Sequence, residues 1–163
     1  ENEGAGASVV PPSRVAERLN RQFPMDRTRQ YFTLVYGVLD PHTGRFDYVT
    51  AGHPAPLLLP FGGTPFPVEG AGLPIGMIED AVYEGAALTM ARGERLYFFT
   101  DGVTEAINAD DAEYGHARLL EAIDRYRGLP LRAGLAAIVT EVRAWCGGRV
   151  NDDVSLLAIE RLG

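Results

Sequence analysis

The sequence predicts an α+β fold with helices layered on antiparallel sheet. Two observations carry this. Apolar periodicity runs helix, strands, helices, strand, and the strands are joined by segments with turn composition, short enough for hairpins; a doubly wound parallel sheet needs helical crossovers instead. The chain is 163 residues long and 46% hydrophobic, enough for one domain with a sizeable core.

Residues 1–10, small and polar at first, read as a flexible lead-in, and 11–163 as the domain proper. Pro11-Pro12-Ser13 opens a helix in which Val15, Leu19 and Phe23 fall on one face. Tyr31 to Leu39 and Arg45 to Thr50 are rich in aromatic and β-branched residues, and the turn Asp40-Pro41-His42-Thr43-Gly44 makes them a hairpin. Ala55 to Leu59 is a further short strand, and residues 60–76, dense in Pro and Gly, read as a long loop. Tyr83 to Met90 and Arg95 to Thr100, joined by Ala91-Arg92-Gly93-Glu94, read as a second hairpin. Helices follow at Ala117 to Tyr126 and Pro130 to Trp145, the latter with a stripe of Leu131, Leu135, Ile138, Val142 and Trp145. Val154 to Glu160 closes the chain as a strand.

All 15 basic residues are Arg. Without Lys the chain can hold no P-loop lysine, kinase-type strand lysine, PLP Schiff base or Ser-Lys dyad. A net charge of −7 argues against broad phosphate-backbone binding, so nucleic acid is not an expected partner. No apolar run approaches the ~20 residues that span a bilayer, so no membrane partner is expected. The single cysteine, Cys146, cannot form an internal disulfide, and a cytoplasmic location is the simpler reading.

Two acidic sites share a context. The apolar strand Leu96 to Thr100 ends in Asp101-Gly102, and Asn151-Asp152-Asp153 immediately precedes the apolar strand beginning at Val154. Carboxylates at strand ends can converge on one rim of a sheet, where Mg²⁺ or Mn²⁺ would find the hard oxygen ligands they require. Gly102 lets the backbone approach closely, and Glu105 can reach the same rim if the chain turns there. The competing reading is a plain turn at Asp101-Gly102 and a solvated one at Asp152-Asp153.

Other candidates are weaker. Cys146 lacks the spacing of a phosphatase thiol loop and reads as a packed thiol. His53 has no assignable partner, the serines lack a nucleophile elbow, and the arginines read as mostly solvated surface. Asp101-Gly102-Val103-Thr104 opens like the aspartyl-phosphate motif of haloacid-dehalogenase-like phosphatases, but Val103 stands where the second Asp belongs.

Residues 31–59 (YFTLVYGVLDPHTGRFDYVTAGHPAPLLL), Gly-Leu-Pro-Ile-Gly at 72–76, RGERLYFFTDGVTEAIN at 92–108 and NDDVSLLAI at 151–159 together resemble the SpoIIE-like metal-dependent Ser/Thr protein phosphatases of the PPM class. The resemblance implies a sandwich of two antiparallel sheets flanked by helices, with two Mn²⁺ or Mg²⁺ ions per complete site. By position it makes Asp101 and Asp152 metal ligands, with Asp153 beside them, Gly102 the glycine that shapes the site, and Glu105 an outer acidic position. It further implies a cytoplasmic signalling role, with a phosphorylated STAS-domain protein as substrate and a sensor domain upstream.

One departure stands out. The family's upstream Asp-x-x-Gly-His-Gly turn, which supplies an aspartate bridging both metals, has no counterpart in these residues. Truncation is the favoured expectation, natural loss the alternative. Two functions therefore remain open: a metal-dependent phosphatase, or a non-catalytic phosphatase-like module that binds the same type of partner.

Overall fold

The computed structural model describes residues 9–148 and 153–162. The first eight residues of the expected lead-in, and Asp152, lie outside the described residues. The chain divides into two units. One holds the described residues up to Leu39 with Phe46–Gly52 and Gly70–Leu88; the other holds Asp40–Arg45, His53–Glu69 and the chain from Thr89 onward.

In the first unit, helix α1 (Pro12–Gln22) starts with proline at its first turn, where a missing N–H costs nothing. Its buried residues are Pro12, Ala16 and Asn20, spaced by four. The expected Val15–Leu19–Phe23 stripe is thus rotated by one residue, and Phe23 is exposed. The reason is Asn20, a polar side chain whose bonding is satisfied inside. Its Nδ2 donates to the carbonyls of Ile78 (2.9 Å) and Glu79 (2.7 Å), while its Oδ1 accepts from the Gly76 amide (2.7 Å) and the Tyr83 hydroxyl (3.0 Å). Gly76, at φ +86°, has no room for a β-carbon, which would collide with the Phe23 carbonyl oxygen. A short helix α2 (Met25–Thr28), absent from the sequence reading, ends on Arg29 in the left-handed conformation.

Strands β1 (Leu34–Leu39) and β2 (Arg45–Ala51) form the expected antiparallel hairpin, in register from Leu34↔Ala51 to Leu39↔Phe46. Strand β5 (Ala86–Thr89) flanks β2 on its other side, giving a three-stranded sheet β1-β2-β5. Ala16, Val49, Ala51, Ile75 and Tyr83 form the core of this unit.

The second unit is built on the sheet β4-β3-β6-β7, from β3 (Leu57–Leu59), β4 (Phe66–Pro67), β6 (Arg95–Phe99) and β7 (Leu156–Glu160), all paired antiparallel. Strand β4 lies inside the expected loop. The expected hairpin between Tyr83–Met90 and Arg95–Thr100 does not form, because β5 and β6 belong to different sheets. Strand β6 is buried at four of its five residues and takes β3 and β7 as its two neighbours, leaving no edge for β5. The turn before it is nonetheless real: the Ala91 amide donates to Glu94 Oε2 at 2.7 Å.

Three helices complete this unit: α3 (Asp101–Thr104), α4 (Gly115–Arg125) and α5 (Leu131–Trp145). Leu119, Ala122 and Ile123 of α4 and Ile138 and Val142 of α5 meet Leu57, Leu59, Tyr97 and Phe99 in one core. Each such aliphatic side chain contributes about 1.5–3 kcal/mol by leaving water. Among the described residues no helix is long and apolar enough to cross a membrane.

Several arginines, expected at the solvated surface, instead serve as internal staples. Arg95, 7% exposed, donates to the carbonyls of Arg127 and Leu129 at 3.1 and 2.9 Å. Arg127 in turn donates to the carbonyls of Gly63, Pro60 and Phe61 and to Asp124. A guanidinium offers five donors in a plane, so it can collect carbonyls that a loop leaves without partners.

Glu141 on α5 gathers three donors: Tyr114 Oη at 2.8 Å, Tyr126 Oη at 3.0 Å and Arg125 at 2.7 Å. Burial pushes its carboxyl up, but the hydrogen bonds from Tyr114, Tyr126 and Arg125 outweigh that and hold it below its ordinary value.

Two outcomes are expected from these networks. Asn20→Ala strands the Gly76 amide in the interior and leaves the Tyr83 hydroxyl only the longer bond to the Pro74 carbonyl at 3.4 Å, at about 1–3 kcal/mol for a buried group left unpaired, read as a lower urea midpoint with an unchanged slope. Glu141, with a depressed folded value, adds stability that is present above its ordinary 4.5 and lost as pH falls through the lower folded value. The difference in unfolding free energy between wild type and Glu141→Gln should therefore shrink on acidification below about pH 4.5. A difference that is flat across that range would contradict the assignment.

Candidate functional site

Strand β6 ends at Phe99, and the next residue, Thr100, ties that end to the segment leading into β7. Its amide donates to the Ser155 carbonyl at 3.1 Å, its hydroxyl donates to the Asp153 carbonyl at 2.8 Å, and the same oxygen accepts from the Ser155 amide at 2.9 Å. These three bonds place residue 101 and residue 153 at adjoining ends of neighbouring strands. The expected pairing was of Asp101 with Asp152, which lies outside the described residues; what the structure describes is the main chain of its neighbour Asp153 bonded to Thr100.

Asp101 is exposed and opens α3, a short helix where the competing sequence reading had a plain Asp-Gly turn. Its Oδ1 accepts the Gly102 amide at 3.0 Å, and its main-chain carbonyl accepts from the Glu105 amide at 2.8 Å and the Thr104 hydroxyl at 3.1 Å. Gly102 is buried beneath it, as are Val103 and Thr104. Glu105 follows as the residue capping α3, exposed, one helical turn from Asp101. Four-residue separation on a helical turn puts two side chains on the same side.

Asp101 Oδ2 and both carboxylate oxygens of Glu105 take no hydrogen bond or ion pair among the described residues. Free carboxylate oxygens are hard donors of the kind Mg²⁺ and Mn²⁺ take, so the residues present fit such an ion in chemistry. Among the described residues, no three His, Cys, Asp or Glu side chains are gathered closely enough to hold a metal by themselves.

The other candidates are absorbed by the structure. Cys146 is buried and its thiol donates to the Val142 carbonyl at 3.2 Å, the behaviour of a packed thiol. His53 Nδ1 lies 3.0 Å from the carbonyl of its own neighbour, Pro54. The residue that sequence reasoning missed is Thr100: a hydroxyl ending an apolar strand, just before an acid, is the signal that could have found it.

The family model for Stage II sporulation protein E (SpoIIE) matches residues 3–162. Phosphoserine phosphatase RsbP of Bacillus subtilis is 33% identical over 101 residues, which make up 59% of this chain and 25% of that protein. The SiaA PP2C domain of Pseudomonas aeruginosa shares the fold with a TM-score of 0.77 at 18% identity, over 92% of this chain and 61% of that one. The manganese-presoaked phosphatase domain of SpoIIE from Bacillus subtilis does so with a TM-score of 0.67 at 13% identity, over 99% and 78%. The chain therefore spans about a quarter of the length of its curated relative RsbP. By the match along nearly all its length, and by two antiparallel sheets with helices in the PP2C-type arrangement, the chain belongs to the SpoIIE family.

Proposed function

We propose that this chain serves the metal-dependent hydrolysis of phosphoserine or phosphothreonine on a cytoplasmic signalling protein, with a phosphorylated STAS-domain protein as the substrate class. The observation that carries the reading is the Thr100 clamp, which ties the end of β6 next to Asp101 to the main chain of Asp153, while Asp101 keeps one carboxylate oxygen without a partner among the described residues. RsbP, a family relative, is a phosphoserine phosphatase by name.

Asp101, Asp152, Asp153 and Glu105 would hold Mn²⁺ or Mg²⁺, two ions in a complete site. A bound ion of this kind supplies a water acidic enough to ionise near neutral pH and neutralises charge on phosphoryl oxygens. The protein's part is orientation. The Gly102 amide fixes one oxygen of Asp101 and leaves the other without a hydrogen bond among the described residues, where it could serve a cation. Thr100 prevents the β6 and β7 ends from splaying, which would separate the acids. No nucleophilic side chain is required, in keeping with the buried, hydrogen-bonded state of Cys146.

A second reading is a phosphatase-like module that binds the same type of partner without turning it over. Hydrolysis separates the two. The assay is release of phosphate from a phosphoserine peptide and from a phosphorylated STAS-domain protein with Mn²⁺. It should use protein expressed together with whatever its reading frame encodes upstream. Activity should disappear in EDTA, and Asp101→Asn, which keeps size but removes charge, should lower turnover at least about a hundredfold. Cys146→Ser should leave turnover within about twofold, since its thiol only packs. Full activity in EDTA, or in Asp101→Asn, would sink the metal-dependent reading. Binding of the phosphoprotein without turnover would establish the module.

A further inference from the structure

Five of the chain's fifteen arginines fall between residues 14 and 29, against only Glu17 and Asp26, a local net of +3 in a chain that carries −7. Arg14 is paired with Glu17 at 2.8 Å. Arg18, Arg21, Arg27 and Arg29 are exposed and make no side-chain hydrogen bond or ion pair among the described residues. Four free guanidinium groups within twelve residues contrast with Arg95, Arg127 and Arg161, each engaged on main-chain carbonyls.

The ground beneath these cations is fixed. Asn20 and Gly76 bind α1 to the segment 76–79, and the Met25 amide donates to the Gly76 carbonyl at 2.9 Å. Phe23 and Phe32 meet edge to face at 5.8 Å, and Phe32 bridges to Ile75. Around this knot Phe23, Met25, Phe32, Met77 and Ile78 remain between 37% and 52% exposed. Arginine mixed with aromatic residues and methionine is the composition of protein interfaces.

Arg29 adds an independent sign. It holds φ +54° at the end of α2, a position where glycine is the ordinary occupant and a β-carbon is strained. Retaining an arginine there has a conformational cost that its own side chain, which makes no hydrogen bond or ion pair among the described residues, does not offset through polar contacts.

We propose that the α1–α2 face, with Arg18, Arg21, Arg27 and Arg29 at its centre, docks an acidic segment of the phosphoprotein substrate. The proposal rests on the phosphatase reading for the identity of that partner. Charge complementarity favours a protein. A membrane needs an apolar helix face free to insert, whereas α1 buries that face around Ala16. A long polyanion would meet the repulsion of the whole −7 chain, while a short acidic segment feels mainly charges within the ~8–10 Å Debye length.

The test measures binding by fluorescence anisotropy to a phosphoserine peptide flanked by three glutamates on each side, and to a twin flanked by glutamines. The acidic peptide should bind more tightly, and its affinity should fall between about 50 and 300 mM salt. Arg18→Gln/Arg21→Gln should weaken it about tenfold, and Arg132→Gln, an exposed α5 arginine, should not. Arg29→Gly should weaken binding while the melting temperature stays level or rises, a split that a structural role would not produce. Equal loss for both peptides, wild-type binding in the arginine variants, or tighter arginine-dependent binding to phosphatidylglycerol vesicles or to duplex DNA would overturn the proposal. Acidic-peptide binding through these arginines without hydrolysis under Mn²⁺ would leave docking standing and remove the phosphatase. Hydrolysis with unaltered binding in the variants would do the reverse.

Discussion

The second unit depends on one constraint: β6 is buried along nearly its whole length, yet it must deliver an exposed acid at its end. A central strand satisfies its main chain only by pairing on both edges, and β3 and β7 supply those edges from Leu57 to Leu59 and from Leu156 to Glu160. Ladder hydrogen bonds stop where the strands stop. Beyond Phe99, Thr100 carries the pairing one step further with both its amide and its hydroxyl. A side chain with both a donor and an acceptor on one oxygen is what this junction needs. The turn into α3 then begins from a fixed point, and Asp101 inherits that fixity through the Gly102 amide.

A similar economy governs the loops. Residues 60–63 have few main-chain partners of their own, and Arg127 supplies them from the end of α4. Arg95 does the same for the carbonyls of Arg127 and Leu129, so the two arginines form a chain of support from β6 to the loop after β3. Lysine, a point charge without a planar fork, is a poorer substitute in such places. In a chain with no lysine, arginine has to fill both the staple role and the exposed role. Only the partner count of each guanidinium tells the two apart.

That distinction explains what could be read from the sequence. The β1–β2 hairpin was legible because alternating apolar residues flank a strong turn, Asp40 to Gly44. Helices α4 and α5 were legible because their apolar residues repeat at helical spacing. The β5–β6 hairpin was misread because a turn signal at Ala91 to Glu94 says that the chain bends and not which strand it then joins. The α1 stripe was misread because Asn20 counts as polar in any periodicity, while its four hydrogen bonds make it interior. Asp101 and Asp153 were legible as acids beside apolar strands, but Thr100 was passed over, because a hydroxyl at a strand end does not say which segment it will join.

Sorting the polar groups by whether a partner already occupies them separates structure from function in this molecule. Cys146, Asn20, Glu141, Arg95 and Arg127 are all spoken for, and each has a reason to exist in the fold alone. Among the described residues, the unoccupied charges include two sets with structural support beneath them: carboxylate oxygens at Asp101 and Glu105, and guanidinium groups along α1 and α2. Anchoring main chain beneath charges that take no partner of their own has a cost in conformational entropy. Folding by itself gives no return on it, because exposed unpaired charges contribute little to stability. On the proposed reading the return comes from outside the chain, a cation for the first set and an acidic segment for the second.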